Sequence, residues 1–222
     1  MQQSDTALVL RVCRADGTSH EGFQWPNSGL VEAPDWNPRP ICGGGLHGWL
    51  RGEGDINASR FWEDDNAKWL AVQVQRSDVV ELGGKVKFPR GDVVKSGLRG
   101  EVIPWFCEMV PGSAVVFGVR TGGYGSTLVG GDCSTLTGGD CSTLMGGDDS
   151  TLVSGSRSML IGGDDSTLTG SDHSVLIVRW WNKVDQRRRI AVGHVGEGGI
   201  EPDIPYRWDA EVERFVEVET DE

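Results

Sequence analysis

No stretch of the sequence approaches the ~18 consecutive apolar residues of a membrane-crossing helix, which excludes a helical membrane protein. The start, MQQSDTALVLRVCR, has no basic segment ahead of a long apolar run and no small-residue cleavage pattern. It does not read as a secretory signal, and the expected location is the cytoplasm. Positive charge is scarce: Lys and Arg total 21 against 33 Asp and Glu, a net charge of -12. That balance opposes capture of a phosphate backbone or an anionic membrane surface, so neither nucleic acid nor membrane is expected as a partner. The five cysteines (Cys13, Cys42, Cys107, Cys133, Cys141) are odd in number and lack C-x-x-C spacing, which argues against a disulfide framework or a zinc finger. His20, His47, His173 and His194 lie far apart with no i, i+4 pair, so no metal site or cofactor is expected. G-x-x-x-x-G-K-[ST] and G-x-S-x-G are both missing.

Glycine is abundant instead. It fills 33 of 222 positions, about 15% against a usual ~7%, and clusters between residues 118 and 170 without the every-third spacing of a collagen rod. Cutting the chain at each serine from Ser126 yields STLVGGDC, STLTGGDC, STLMGGDD, STLVSGSR, SMLIGGDD, STLTGSDH and SVLIV. The period is eight, with Ser in the first place and Leu in the third place of every unit. Thr, Val and Ile favour extended backbone and Gly-Gly-Asp favours turning, so each octad reads as a short strand and a turn. Strand side chains alternate, which puts Ser and Leu on one side. One octad cannot close around its leucine, but two make a flattened 16-residue coil, and coils stack about 4.8 Å apart. The expectation is a narrow β-solenoid with a Ser/Leu interior.

A 16-residue coil sorts the outward places into two walls. Odd octads present Thr127 and Val129, Thr143 and Met145, Met159 and Ile161, Val175 and Ile177; even octads present Thr135, Thr137, Thr151, Val153, Thr167 and Thr169. The odd wall is apolar enough to predict a contact surface at Thr143, Met145, Met159, Ile161, Val175 and Ile177. The turns sort likewise: one edge stacks Asp132, Asp148 and Asp164 beside Asp149 and Asp165. Carboxylates about 5 Å apart repel unless water, a cation or a basic partner screens them.

The units GGYGSTLV (122 to 129), GGDCSTLT (130 to 137) and GGDDSTLT (162 to 169) resemble the octapeptide repeats of bacterial ice nucleation proteins. The resemblance covers about 55 residues and implies the solenoid fold. Ice templating in that family needs a long array of Thr-x-Thr, whereas the even wall offers TLT, TLV and TLT on three rungs about 10 Å across, too few for it. CGGGLHG (Cys42, Gly45, Leu46, His47), GFQ upstream and the C-terminal GEGGIEPDIPYRWD are similar to an uncharacterised group of phage and bacterial proteins, which implies a phage or prophage setting.

Residues 1 to about 110 hold six of the nine tryptophans and read as a separate α+β domain with a mostly antiparallel sheet. ALVLRVC and WLAVQVQ are predicted strands, VVELGGKVKF a strand, Gly-Gly turn and strand, and INASRFWEDDNAK the one helix candidate. WPNSGLVEAPDWNPRP is expected to be an extended loop. After the repeats, SVLIVRWWN and RRRIAVGHV should pair across NKVDQ, with Trp180 and Trp181 covering the open end of the stack; PYRW and RFVEV suggest a last hairpin before an acidic terminus. The basic cluster Lys183, Arg187, Arg188 and Arg189 is expected to pair internally. The fold class is therefore mainly β: an α+β domain over residues 1–112, an octapeptide-repeat β-solenoid over 113–178, and a β-rich cap with an acidic tail over 179–222.

The catalytic candidates are Asp35, Cys42 and His47 on glycine-rich loops, with Asp55, Glu63, Asp64 and Asp65 farther along. A cysteine nucleophile needs a histidine within hydrogen-bond reach to form its thiolate, while a histidine near an early strand invites comparison with ADP-ribosyltransferase-like folds. A tight turn delivering Leu46 to the core explains the same glycines. The expected function is a non-enzymatic interaction protein that docks a protein partner or a second copy through the apolar wall. The alternatives are an acidic nucleic-acid mimic that inhibits a host defence protein through Asp132, Asp148 and Asp164, and an enzyme of the first domain.

Overall fold

A computed structural model describes residues 5–219; the start at 1–4 and the acidic end at 220–222 lie outside them. The chain divides into two compact units between Ser113 and Ala114.

The first unit contains β1 (Thr6–Cys13), β2 (Gly29–Glu32), β3 (Leu46–Leu50), β4 (Lys68–Gln75), β5 (Val80–Glu81), β6 (Val86–Phe88), β7 (Arg90–Gly97) and α1 (Arg99–Met109). All strands join one antiparallel sheet of order β2-β7-β4-β1-β3-β6-β5. Central strands β1 and β4 are apolar on both faces because both are covered. Val9, Cys13, Leu70, Val72 and Val74 join Trp25, Val31, Leu46 and Phe88 in one buried cluster. α1 packs on β4 and β7 and buries Val102, Ile103, Phe106 and Cys107.

The helix expected at INASRFWEDDNAK is not there. That stretch forms two single 3₁₀ turns, Ile56–Ala58 and Phe61–Glu63, because the Asp55 carboxylate accepts from the Asn57 amide (2.9 Å) and Asp64 from Asn66 (2.9 Å). Such local side-chain bonds compete with helical ones. The helix lies instead at RGEVIPWFCEM despite Pro104, and Glu101 caps it by accepting from the Leu98 amide (3.1 Å). The proline-rich segment is likewise not wholly loop, since its Gly29–Glu32 portion pairs with β7.

The second unit opens with β8 (Val119–Thr121), followed by β9 (Thr127–Val129), β10 (Thr135–Gly138), β11 (Thr143–Met145), β12 (Thr151–Ser154), β13 (Met159–Gly162), β14 (Thr167–Gly170) and β15 (Val175–Asn182). Even octads form the parallel ladder β8-β10-β12-β14 and odd octads form β9-β11-β13-β15, every partner sixteen residues away. Leu136, Leu144, Leu152, Leu160, Leu168 and Leu176 are fully buried between the two sheets. The winding is the expected two-octad coil, with about four turns over residues 119–178.

It contains one octad more than the serines mark. Residues 118–125, GVRTGGYG, form the first, with Gly118 in the serine place and Arg120 in the leucine place opposite Leu136. The buried serine hydroxyls staple neighbouring coils. Ser150 Oγ accepts from the Ser134 amide (3.3 Å) and donates to the Gly131 carbonyl (3.3 Å), and Ser158 repeats this with Ser142 (3.0 Å) and Gly139 (3.3 Å). Each octad ends in a left-handed residue: Cys133, Cys141, Asp149, Arg157, Asp165 and His173 have φ between 56° and 60°.

β16 (Arg187–His194) pairs antiparallel with β15, and the hairpin of β17 (Pro205–Asp209) and β18 (Arg214–Glu217) pairs antiparallel with β14. Trp180, Tyr206, Val195 and Ile200 extend the leucine seam, with Trp208 and Phe215 packed against it. Trp181 does not cover the open end: alternation along β15 turns it outward and leaves it exposed.

Candidate functional site

Two regions carry the residues singled out in the sequence. On the solenoid, the outward places of the odd sheet line up in cross-strand rows. One row runs Val129, Met145, Ile161 and Ile177, and the pairing of β15 with β16 continues it to Val192. The next runs Thr127, Thr143, Met159 and Val175 to His194. Met145 is 36% exposed, Met159 42%, Val192 54% and nearby Ile190 68%. Val192 and Ile190 were not foreseen, although the alternation of RRRIAVGH against β15 carries the signal. The even sheet presents Val119/Thr121, Thr135/Thr137, Thr151/Val153 and Thr167/Thr169, one rung more than the repeats reveal, and ends against β17.

The acidic edge is built into the stack. Asp132 accepts from the Asp148 amide (3.0 Å), Asp148 from the Asp164 amide (2.9 Å), and Asp164 from the Trp181 amide (2.8 Å). This reach needs glycine in the sixth place of the octad: a Cβ on Gly163 would lie 1.9 Å from Asp148 Oδ1, and one on Gly147 2.1 Å from Asp132 Oδ1. The second oxygens of Asp148 and Asp164 meet Arg188, whose guanidinium sits 2.7 Å from Asp164 and 3.5 Å from Asp148. Arg189 pairs with Asp185. The Asp149 carboxyl is pushed up by desolvation and then by Asp165, Asp148 and Asp164. Among the described residues, no group of three His, Cys, Asp or Glu side chains is arranged to hold a metal.

In the first unit, Asp35, Cys42 and His47 line one cleft of about 520 Å³ with Arg11, His20, Phe23, Trp25 and Lys85. Its wall includes Gly43, Gly44 and Gly45, with φ of 91°, 58° and 142°, a path that a side chain would strain. Asp35 Oδ1 accepts from the Gly45 amide (3.1 Å), and the buried Lys87 ammonium donates to the carbonyls of Ile41 (2.8 Å) and Gly43 (3.0 Å). Asp35 thus holds the loop rather than orienting the histidine. His47 leaves the loop on β3, its pKa lowered to about 4 by burial and then by Lys85, Arg11 and Lys87. Cys42 is exposed, and no hydrogen bond joins it to His47, whose Nε2 has no partner. Asp55 and Asp64 serve their own turns, and Asp65 pairs with Arg99.

Comparison with known proteins divides the chain along similar lines. Residues 7–103 match a family model described as a domain of unknown function, DUF7666. The repeats align with an ice nucleation protein of Pseudomonas fluorescens, 36% identical over 110 residues. Those of Pseudomonas syringae and Xanthomonas campestris pv. translucens are each 46% identical, over 97 and 106 residues. The solenoid is an ice-nucleation-like repeat. These alignments cover 49%, 43% and 47% of this chain but only 9%, 8% and 7% of the relatives. No solved structure matches. No helix among the described residues is long and apolar enough to cross a membrane, which leaves β-barrels unaddressed.

Proposed function

We propose that the chain is a non-enzymatic interaction protein that pairs with a second copy of itself through the outer face of the odd solenoid sheet. The observation that carries this reading is the continuous row Val129, Met145, Ile161, Ile177 and Val192, five strands and roughly 19 Å long at 4.8 Å per strand. Contiguous apolar surface of this kind marks interaction sites. Two copies related by a two-fold axis, the commonest symmetry of soluble dimers, would bring apolar row against apolar row in aligned sheet packing about 10 Å apart. Methionines at Met145 and Met159 adapt to such a contact. The cytoplasm, in a phage or prophage setting, belongs to the same reading.

The relatives' name concerns ice nucleation. Only β10 and β14 carry threonine in both outward places here, so we do not extend that activity to this chain. An inhibitor acting through the acidic edge is less favoured, because Asp148 and Asp164 already bond the next coil and Arg188.

Size-exclusion chromatography with light scattering tests the proposal. Wild type should have twice the 24.0 kDa chain mass, and Met159→Asp with Ile161→Asp should have the single mass and an unchanged far-UV spectrum. A wild type of single-chain mass, or a variant that still pairs, would overturn it.

A further inference from the structure

The cleft of the first unit is electrostatically unfinished. The Arg11 guanidinium donates through one Nη to the His47 carbonyl (3.1 Å) and lies 5.3 Å from the centre of the Trp25 ring, yet among the described residues no carboxylate pairs with it and its Nε has no partner. Burial lowers its pKa to about 10. Trp25 Nε1 and His47 Nε2 are also buried without partners, so three residues lining the same cleft hold orphaned polar nitrogens. Each such atom costs about 1–3 kcal/mol unless something satisfies it. Lys85 lines the same wall, and Lys87 stands behind the glycine loop. Among the described lining residues Asp35 is the one carboxylate, and it is committed to the Gly45 amide. In a chain of net charge -12, this is a local concentration of cations.

Water is an insufficient answer. The recess beside Arg11, His47 and Lys85 is about 20 Å³, room for a single water. That water would bond to polar atoms there but neutralise no charge. The larger cleft has the size of a small-molecule site, and the three residues with orphaned nitrogens line it from three different segments, β1, the loop at Trp25 and β3.

We propose that this cleft binds a small organic oxyanion, a phosphate or carboxylate compound, whose charged group is met by Arg11, Lys85 and His47. Arg11 would supply the charge-assisted donors, Lys85 the approach from the rim, and His47 a proton that the anion's own negative charge favours against burial and against the neighbouring cations. Cys42 and Asp35 shape the wall.

The test uses the full chain with two probes, inorganic pyrophosphate and citrate, at constant ionic strength, followed by calorimetry and by NMR titration of the histidines. Saturable binding tighter than about 1 mM by at least one probe, with the His47 midpoint rising from about 4, is expected. Response to pyrophosphate alone assigns the ligand to phosphate compounds, and response to citrate alone to carboxylates. Lys85→Gln should weaken binding about tenfold or more, as should Arg11→Gln. Lys85→Gln decides the matter if Arg11→Gln does not fold. No movement of His47 with either probe up to about 10 mM, or equal affinity in Lys85→Gln, would overturn the proposal.

Discussion

Leu152→Ala puts the paired-octad seam to its hardest test. Leu152 lies on β12 between Leu136 and Leu168 of its own ladder, in one fully buried cluster with Leu144 and Leu160 of the facing sheet. Truncation removes about three buried carbons, worth roughly 2.4 kcal/mol at ~0.8 each. The coils above and below are held at fixed spacing by serine and aspartate bonds and cannot collapse into the gap, which brings the expected cost to about 3–5 kcal/mol. In a stack whose stability is a sum of coil and interface contributions, the loss falls on both neighbouring interfaces. Hydrogen exchange with mass spectrometry localises the effect without requiring the whole chain to unfold at once. Peptides spanning residues 134–178 should exchange a hundredfold or more faster under equilibrium-opening conditions, at about 1.4 kcal/mol per factor of ten. Leu128→Ala, in the first coil and only partly buried, should cost about 1–2 kcal/mol. A change below about 1 kcal/mol at Leu152, or equal effects at both sites, would refute a dry seam.

Three further outcomes follow from the turns and edges. Gly163→Ala should destabilise the solenoid by thermal unfolding, because the new methyl displaces the Asp148 carboxylate; the penalty should shrink when Asp148→Ala is already present, and additive penalties would count against the coupling. Arg157→Gly should raise the melting temperature slightly, a gain of about 0.5–1 kcal/mol, since φ of 56° penalises arginine more than glycine. For Asp149, the folded pKa lies above the unfolded one, so its contribution to stability is fully present below the unfolded pKa and is lost as pH rises through the folded value. Asp149→Asn should therefore stabilise the protein at neutral pH, with the advantage fading as pH falls through the raised value; a difference independent of pH would refute the assignment.

The solenoid was legible because one position repeats without a slip: leucine every eighth residue leaves the chain a single way to bury all of them. What escaped was whatever breaks the letter of the repeat while keeping its geometry. Arg120 and Gly118 conceal the first octad, and the shared left-handed backbone at Cys141, Asp149, Arg157 and His173 has no common residue type to announce it. In the first unit, propensity misled at 56–68, where Asp55 and Asp64 close local turns, and at 99–109, where Pro104 disguised a helix whose apolar side is held by β4 and β7. Asp35, Cys42 and His47 do share a cleft, as their spacing allowed. Arg11, on β1, joins them through the sheet and Trp25 through the loop before β2, and neither could be read from proximity.

The coil of sixteen residues makes length a quantised property of this molecule. Adding or deleting two octads would shift every later strand by one whole storey and leave the terminal hairpins on the same kind of seat. A single octad would instead exchange the sides, sending threonines where methionine and isoleucine had stood and presenting β15 and β17 with the wrong neighbours. Variants differing by sixteen should fold, and those differing by eight should forfeit the roof.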